Sequence, residues 1–257
     1  MFRDEFDAAA NAAVAKYNLL KNNPLGYFML SVLAGMFVGF GVLLVFTLSG
    51  ALGGAPYTKL VMGCCFSVAL SLVVIAGAEL FTGNNLVMSA GYLKKTVKMG
   101  DVLKLWGFCW LGNLAGGILL AVLYAATGLY SGATLDAMIA AAETKMTAGF
   151  LQLLTRGMLC NMLVCLAVWC GFRCKSEAGK LIMVFWCILA FFATGFEHSV
   201  ANMTLLTLSL INNGGNAAIT FGGYIYNLLT VTLGNLLGAV LLVALPYYAA
   251  TLDRKKS

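Results

Sequence analysis

Gly77-Ala78-Glu79-Leu80-Phe81-Thr82-Gly83-Asn84 and Gly195-Phe196-Glu197-His198-Ser199-Val200-Ala201-Asn202 share the spacing Gly-x-Glu-x-x-x-x-Asn, each inside an otherwise apolar run. Two carboxylates, two carboxamides and the single histidine of the chain thus stand where a bilayer tolerates little polarity. Ionisable groups at membrane depth are costly and mark functional sites by default. Their duplication indicates a site assembled from two related halves.

The surrounding composition sets the class. The chain has 257 residues, 61% hydrophobic and 10% charged, with a mean hydropathy of +0.90. About a quarter of a soluble domain is charged, so this is an integral membrane protein. The formal charge of +6 follows the membrane segments and is no nucleic-acid footprint, so no nucleic-acid partner is expected. Met1 to Asn23 carries Asp4, Glu5 and Asp7 and lacks the basic and apolar regions of a cleavable signal. Phe6, Ala10, Val14, Tyr17 and Leu20 recur there at near-helical spacing, which fits an amphipathic surface helix or an ordinary soluble one. The eight cysteines lack metal-ligand spacing and have one histidine to share. They read as reduced packing residues, and neither metal nor cofactor is expected.

Charged residues divide the chain into six apolar segments: Leu25–Gly50, Leu60–Leu93, Leu105–Tyr130, Phe150–Phe172, Leu181–Leu210 and Tyr224–Tyr247. Each is long enough to cross, since a crossing needs about 20 residues. Arg3, Lys16 and Lys21 precede the first. Lys94, Lys95, Lys98 and Lys104 separate the second and third, Arg173, Lys175 and Lys180 the fourth and fifth, and Arg254, Lys255 and Lys256 follow the sixth. Six crossings put all of these on one side and only Lys59, Lys145 and Arg156 towards the other. The positive-inside rule makes that side, with both termini, cytoplasmic.

Leu60–Leu93 is too long. Its 34 residues would run about 51 Å as one helix, against a hydrocarbon core of about 30 Å. Leu181–Leu210 has the same excess in smaller measure. The charge map still demands one crossing each, so the expectation is a helix break at Glu79–Gly83 and at Gly195–Ser199. Such breaks survive only where protein or water satisfies the backbone. Uninterrupted tilted helices are the alternative, and they leave the glutamates unexplained.

The halves correspond beyond the octapeptide. Leu111-Gly112-Asn113-Leu114-x-Gly116 recurs as Leu233-Gly234-Asn235-Leu236-x-Gly238, and Gly35-Met36 as Gly157-Met158, at an offset of 122 residues against 118 for the glutamates. Three crossings per half is odd, so the repeats are inverted: residues 25–130 and 149–248, flanked by an N-terminal cytoplasmic helix (1–23) and a cytoplasmic tail (249–257) in one transmembrane domain. Inverted repeats with interrupted middle helices recur in membrane transport. Half-helices starting near Asn84 and Val200 would aim positive dipole ends at the path, favouring anions.

At these residues the chain resembles the formate/nitrite transporter family over essentially its whole length. The resemblance rests on Ala78–Asn84, Gly157–Trp169, Gly195–Met203 and Leu233–Gly238. It implies an all-α, aquaporin-like protomer of six helices with the second and fifth interrupted. It also implies a homopentamer in the bacterial inner membrane, each protomer passing monovalent weak-acid anions such as formate, nitrite or hydrosulfide. By the same resemblance the central histidine is His198, with Asn202 as its partner and Thr82 in the interrupted second helix. Lys145 matches an outer-vestibule lysine and Asn161 a pore-facing asparagine. Phe66, Leu70, Leu80, Phe81 and Val164 match an inner constriction, and Phe191 an outer one.

An anion in an apolar slit loses hydration, at prohibitive cost if nothing replaces it. Lys145 would concentrate anions, Thr82, Asn161 and Asn202 would replace water, and His198 would donate a hydrogen bond or a proton. Each has a plainer alternative: a satisfied core histidine, a helix cap at Thr82, ordinary packing at the phenylalanines, interfacial snorkelling rather than substrate binding at Arg156. For Glu79 and Glu197 a structural role accepting orphan amides is favoured over a gate, because negative walls oppose anion entry. The competing functions are an aquaporin-type neutral-solute channel, which lacks its Asn-Pro-Ala turns here, and an ion-coupled secondary transporter. A single histidine and no partnered nucleophile argue against an enzyme.

Overall fold

The computed structural model describes residues 2–252. Arg254, Lys255 and Lys256, used in the charge map, lie outside the described residues. Helix α1 (Arg3–Asn22) runs to Asn23, whose side chain accepts from the Gly26 amide and, with Pro24 in the first turn, starts α2 (Pro24–Leu52). Next come α3 (Thr58–Leu72), which continues as a π turn over Val73–Gly77, then α4 (Phe81–Leu93) and α5 (Met99–Ala126). The second part comprises α6 (Gly132–Thr147), α7 (Phe150–Arg173), α8 (Glu177–Ala193) and α9 (Ser199–Ile211). It ends with α10 (Phe221–Ala239), a π turn at Val240–Ala244 and α11 (Leu245–Thr251). That second π turn ends two residues before Pro246, whose ring cannot accommodate an ordinary helical turn before it.

Among the described residues, five helices are long and apolar enough to cross a membrane: Pro24–Leu52, Thr58–Gly77, Met99–Ala126, Phe150–Arg173 and Phe221–Thr251; Ser199–Ile211 is a shorter apolar helix. Large apolar side chains such as Leu111, Ile118, Leu119, Val122 and Leu123 stand exposed along one helix, as befits a surface that meets lipid or another protomer. Helix α1 buries Phe6, Ala9, Ala10, Ala13 and Leu20 and packs chiefly on α4. The Tyr17 hydroxyl bonds Asp101, which raises the tyrosine above its ordinary titration range.

The repeated Leu-Gly-Asn-Leu-x-Gly now has a packing reason. Helices α2 and α5 meet backbone to backbone, and a Cβ on Gly116 would overlap the Val32 carbonyl oxygen. Helices α7 and α10 meet likewise, with Gly238 against the Met158 carbonyl. Small residues permit such approach, and dispersion across it holds the pairs together.

Both long segments are interrupted. The non-helical stretches are Ala78–Leu80 and Thr194–His198, against the expected Glu79–Gly83 and Gly195–Ser199. A left-handed glycine marks each, Gly77 just before the first at φ +81° and Gly195 within the second at φ +80°, a conformation that a side chain would resist. That is the physical content of the Gly in the octapeptide. The following helices begin at Phe81 and Ser199, so the first starts three residues earlier than expected near Asn84. A side chain from a neighbouring helix captures its first amide.

Candidate functional site

Asn113 of α5 and Asn235 of α10 are those side chains. Asn113 Oδ1 accepts from the Phe81 amide at 2.9 Å, while its Nδ2 donates to the carbonyls of Ser31 (2.8 Å) and Glu79 (2.9 Å). Asn235 Oδ1 accepts from the Ser199 amide at 3.0 Å, and its Nδ2 donates to the carbonyls of Gly157 (2.8 Å) and Glu197 (3.0 Å). Both are fully buried. A carboxamide suits the task because it carries acceptor and donors on one planar group. The Glu79 amide reaches the Leu30 carbonyl and the Glu197 amide that of Arg156. The broken backbone is thereby satisfied across helices, as membrane depth requires.

The glutamates do not accept orphan amides. Glu79 receives Lys16 Nζ at 2.6 Å and Asn84 Nδ2 at 2.8 Å. Glu197 receives Lys145 Nζ at 2.8 Å on each oxygen and Asn202 Nδ2 at 2.7 Å. Asn84 also donates to the Tyr27 hydroxyl, and Asn202 to Asn227 Oδ1. The final Asn of the octapeptide is thus the partner of its Glu one helical turn on, and the lysines come from the peripheral helices α1 and α6. Two expectations need correction. The backbone role assigned to the glutamates falls to Asn113 and Asn235, because the carboxylates are taken by ammonium and carboxamide groups. The Lys145 charge is neutralised by Glu197 rather than offered freely to the vestibule.

A cavity of ≈ 890 Å³ opens between α2, α3, α6, α7, α8 and α9. Lys59, Lys145, Arg156, Glu197 and Asn202 line it, and the aromatic rings of Phe66, Phe191 and Phe192 stand near His198. Phe66 and Phe191 meet edge to face, ring centres 5.9 Å apart. Phe191 lies nearly parallel to the His198 imidazole at 6.0 Å. Phe66 therefore groups with Phe191 on the cavity side instead of with the other members of the expected inner set. Leu70, Leu80, Phe81 and Val164 are buried and do not line this cavity.

His198 joins the two breaks. It is the N-cap of α9, and its Nδ1 accepts from the Ala201 amide at 3.1 Å. Nδ1 is therefore unprotonated, and the neutral ring carries its proton on Nε2, 3.0 Å from Thr82 Oγ1. The second residue of α4 thus meets the residue just before α9. Thr82 caps nothing: the N-cap of α4 is Leu80. A second proton on the imidazole would put an N–H against the Ala201 amide, so imidazolium and the cap exclude one another.

Asn161 sits behind this contact. Its Nδ2 donates to the Thr82 carbonyl, to Asn85 Oδ1 and to the Asn235 carbonyl at 3.3, 3.0 and 2.8 Å. It bridges the halves and is absent from the cavity wall. Sequence reading missed the partners Asn113, Asn235, Asn227, Tyr27 and Lys16. The first two were visible as repeated letters without a role; Lys16 lies 63 residues from Glu79 and has no local signal. All eight cysteines are free.

The family described as Formate/nitrite transporter matches residues 3–249. The nitrite transporter NirC of Salmonella typhimurium (strain LT2) is 43% identical over 256 residues, covering 98% of this chain and 93% of that protein. Among solved structures, an FNT family ion channel matches with a TM-score of 0.92 at 41% identity, covering 98% of this chain and 100% of the other. A pentameric formate channel with formate bound matches at 0.79 with 30% identity, covering 91% and 99%.

Proposed function

The chain belongs to the formate/nitrite transporter family, and from that premise we propose that it passes small monovalent weak-acid anions through a path descending from the cavity to the His198–Thr82 contact. It is a transport protein and not an enzyme. The carrying observation is that contact, 3.0 Å long and buried, because it unites the two backbone breaks at the inner end of a cavity lined with cations. Nitrite and formate are the leading substrates, after the names of the relatives; hydrosulfide shares their charge and small size.

The anion enters among Lys59, Arg156 and the Lys145–Glu197 pair, passes the ring pair Phe66–Phe191, and takes hydrogen bonds from His198 Nε2 and Thr82 Oγ1 in place of water. Leu70, Leu80, Phe81 and Val164 form the apolar seal beyond. Asn161 and Asn202 hold the walls. Passage is proton-linked when the cap opens. An imidazolium then gives its Nε2 proton to the anion, leaving a neutral acid and a neutral ring protonated on Nδ1. The capped tautomer returns as a proton is regained at Nε2 and lost from Nδ1.

The membrane arrangement follows the same reading. α2, α3 with α4, α5, α7, α8 with α9 and α10 with α11 make six crossings as inverted halves. Both termini are cytoplasmic in a bacterial inner membrane, and five protomers assemble as in the pentameric relative. The matched bonds of Asn113 and Asn235 support the inversion. The test is flux in proteoliposomes under imposed anion and pH gradients. Nitrite or formate entry that accelerates on acidification outside supports the proposal; water permeation without any anion flux would sink it in favour of a neutral-solute channel.

A further inference from the structure

Three cationic side chains line the cavity: Lys59, Lys145 and Arg156. They differ in what faces them. Lys145 is bound by both oxygens of Glu197, so that pair presents little net charge. Lys59 is exposed, so bulk water screens it. Arg156 is half-buried, in the second turn of α7, and among the described residues its guanidinium has no ion-pair or hydrogen-bond partner. Glu197, the acidic group lining the same cavity, is already engaged by Lys145 and Asn202.

The Arg156 backbone is also unusually fixed. Its carbonyl accepts from the Glu197 amide at 3.3 Å, and the next residue, Gly157, lies close against the α10 backbone, where a Cβ would stand 3.0 Å from the Val231 carbonyl oxygen. An arginine at this depth is expensive without an anionic partner, and its anchor is the residue before His198. We infer that Arg156 is the substrate-selecting residue of the vestibule, receiving the anion through its planar fork before His198 does.

The fork matches chemistry as well as charge. Two parallel N–H groups of guanidinium meet two oxygens held on one central atom. Formate and nitrite are bent, planar anions with such an oxygen pair, whereas hydrosulfide and halides offer a single acceptor atom. Arg156 therefore favours planar oxyanions over spherical ones, a discrimination that a lysine at the same position would not make. The inference rests on the anion-transport reading and deepens it.

The test measures half-saturating concentrations for nitrite, formate and hydrosulfide in proteoliposomes of the full chain, with chloride as competitor. Arg156→Gln is expected to raise the nitrite and formate values about tenfold, the scale of one charge-assisted hydrogen-bonding pair partly exposed to water, and to leave hydrosulfide nearly unchanged. Arg156→Lys keeps the charge and is expected to narrow the preference for nitrite over hydrosulfide. If Arg156→Gln fails to assemble, Arg156→Lys decides alone. Unchanged half-saturation, or an equal loss for all three anions, overturns the assignment. Absence of flux for every anion in the unaltered protein would instead overturn the transport reading.

Discussion

At the residue scale, His198 does two jobs with its two nitrogens, and they can be separated. Asparagine is a good N-cap and can hold the Ala201 amide without an imidazole proton. His198→Asn is therefore expected to retain assembly and thermal stability but to lose the pH dependence of flux, read from initial rates between pH 5 and 8. A pH profile identical to the unaltered protein would remove His198 from proton handling. Thr82→Val, which keeps the shape and deletes the hydroxyl, is expected to slow flux about tenfold, the scale of one lost hydrogen bond at a stripped anion. The two residues were legible as a histidine and a threonine in related octapeptides. That Nδ1 is committed to the backbone was not, because a cap depends on φ and ψ at the break rather than on spacing.

At the element scale, the helix breaks are held by carboxamides and lysines from elsewhere in the chain. Asn235→Ala frees the Ser199 amide and two carbonyls in a dry interior, where each orphan costs about 1–3 kcal/mol. The expected result is a loss of at least ~3 kcal/mol, seen as a lowered midpoint of thermal unfolding in detergent; Asn113→Ala should act alike. Lys145→Ala should also destabilise, because it strands a carboxylate that is only 5% exposed. Adding Glu197→Gln should restore much of the midpoint, since the stranded charge is then gone. If the double variant is no better than the single one, the lysine acts through something other than charge compensation. The existence of breaks was readable from segment length and the duplicated Gly-x-Glu. Their edges shifted, since the capping Asn113 lies 32 residues beyond Phe81 and only packing of α5 brings it there.

At the scale of the whole molecule, apolar helices pack in close α2–α5 and α7–α10 pairs, and the buried Thr82–His198 contact links the regions of the two breaks. Composition alone established the membrane class, and the six-segment division follows from charge. The peripheral helix α6 escaped sequence reading because Gly132–Thr147 is neither long nor strongly apolar. A reporter fused at either terminus is expected to be protected in spheroplasts and reached only after the membrane is opened. Purified protein should have the mass of five protomers; a monomer that still conducts would remove the pentamer from the mechanism. The order in which the partners are synthesised has its own consequence. Lys16 precedes Glu79 and Lys145 precedes Glu197, so each carboxylate leaves the ribosome when its counter-charge already exists. Asn113 then closes the first break before α6 is made, and Asn235 closes the second only once α10 has followed α9. A nascent chain can thus complete one half, charge-neutral and hydrogen-bonded, while the other is still being translated, leaving the Thr82–His198 contact to be made when the halves meet.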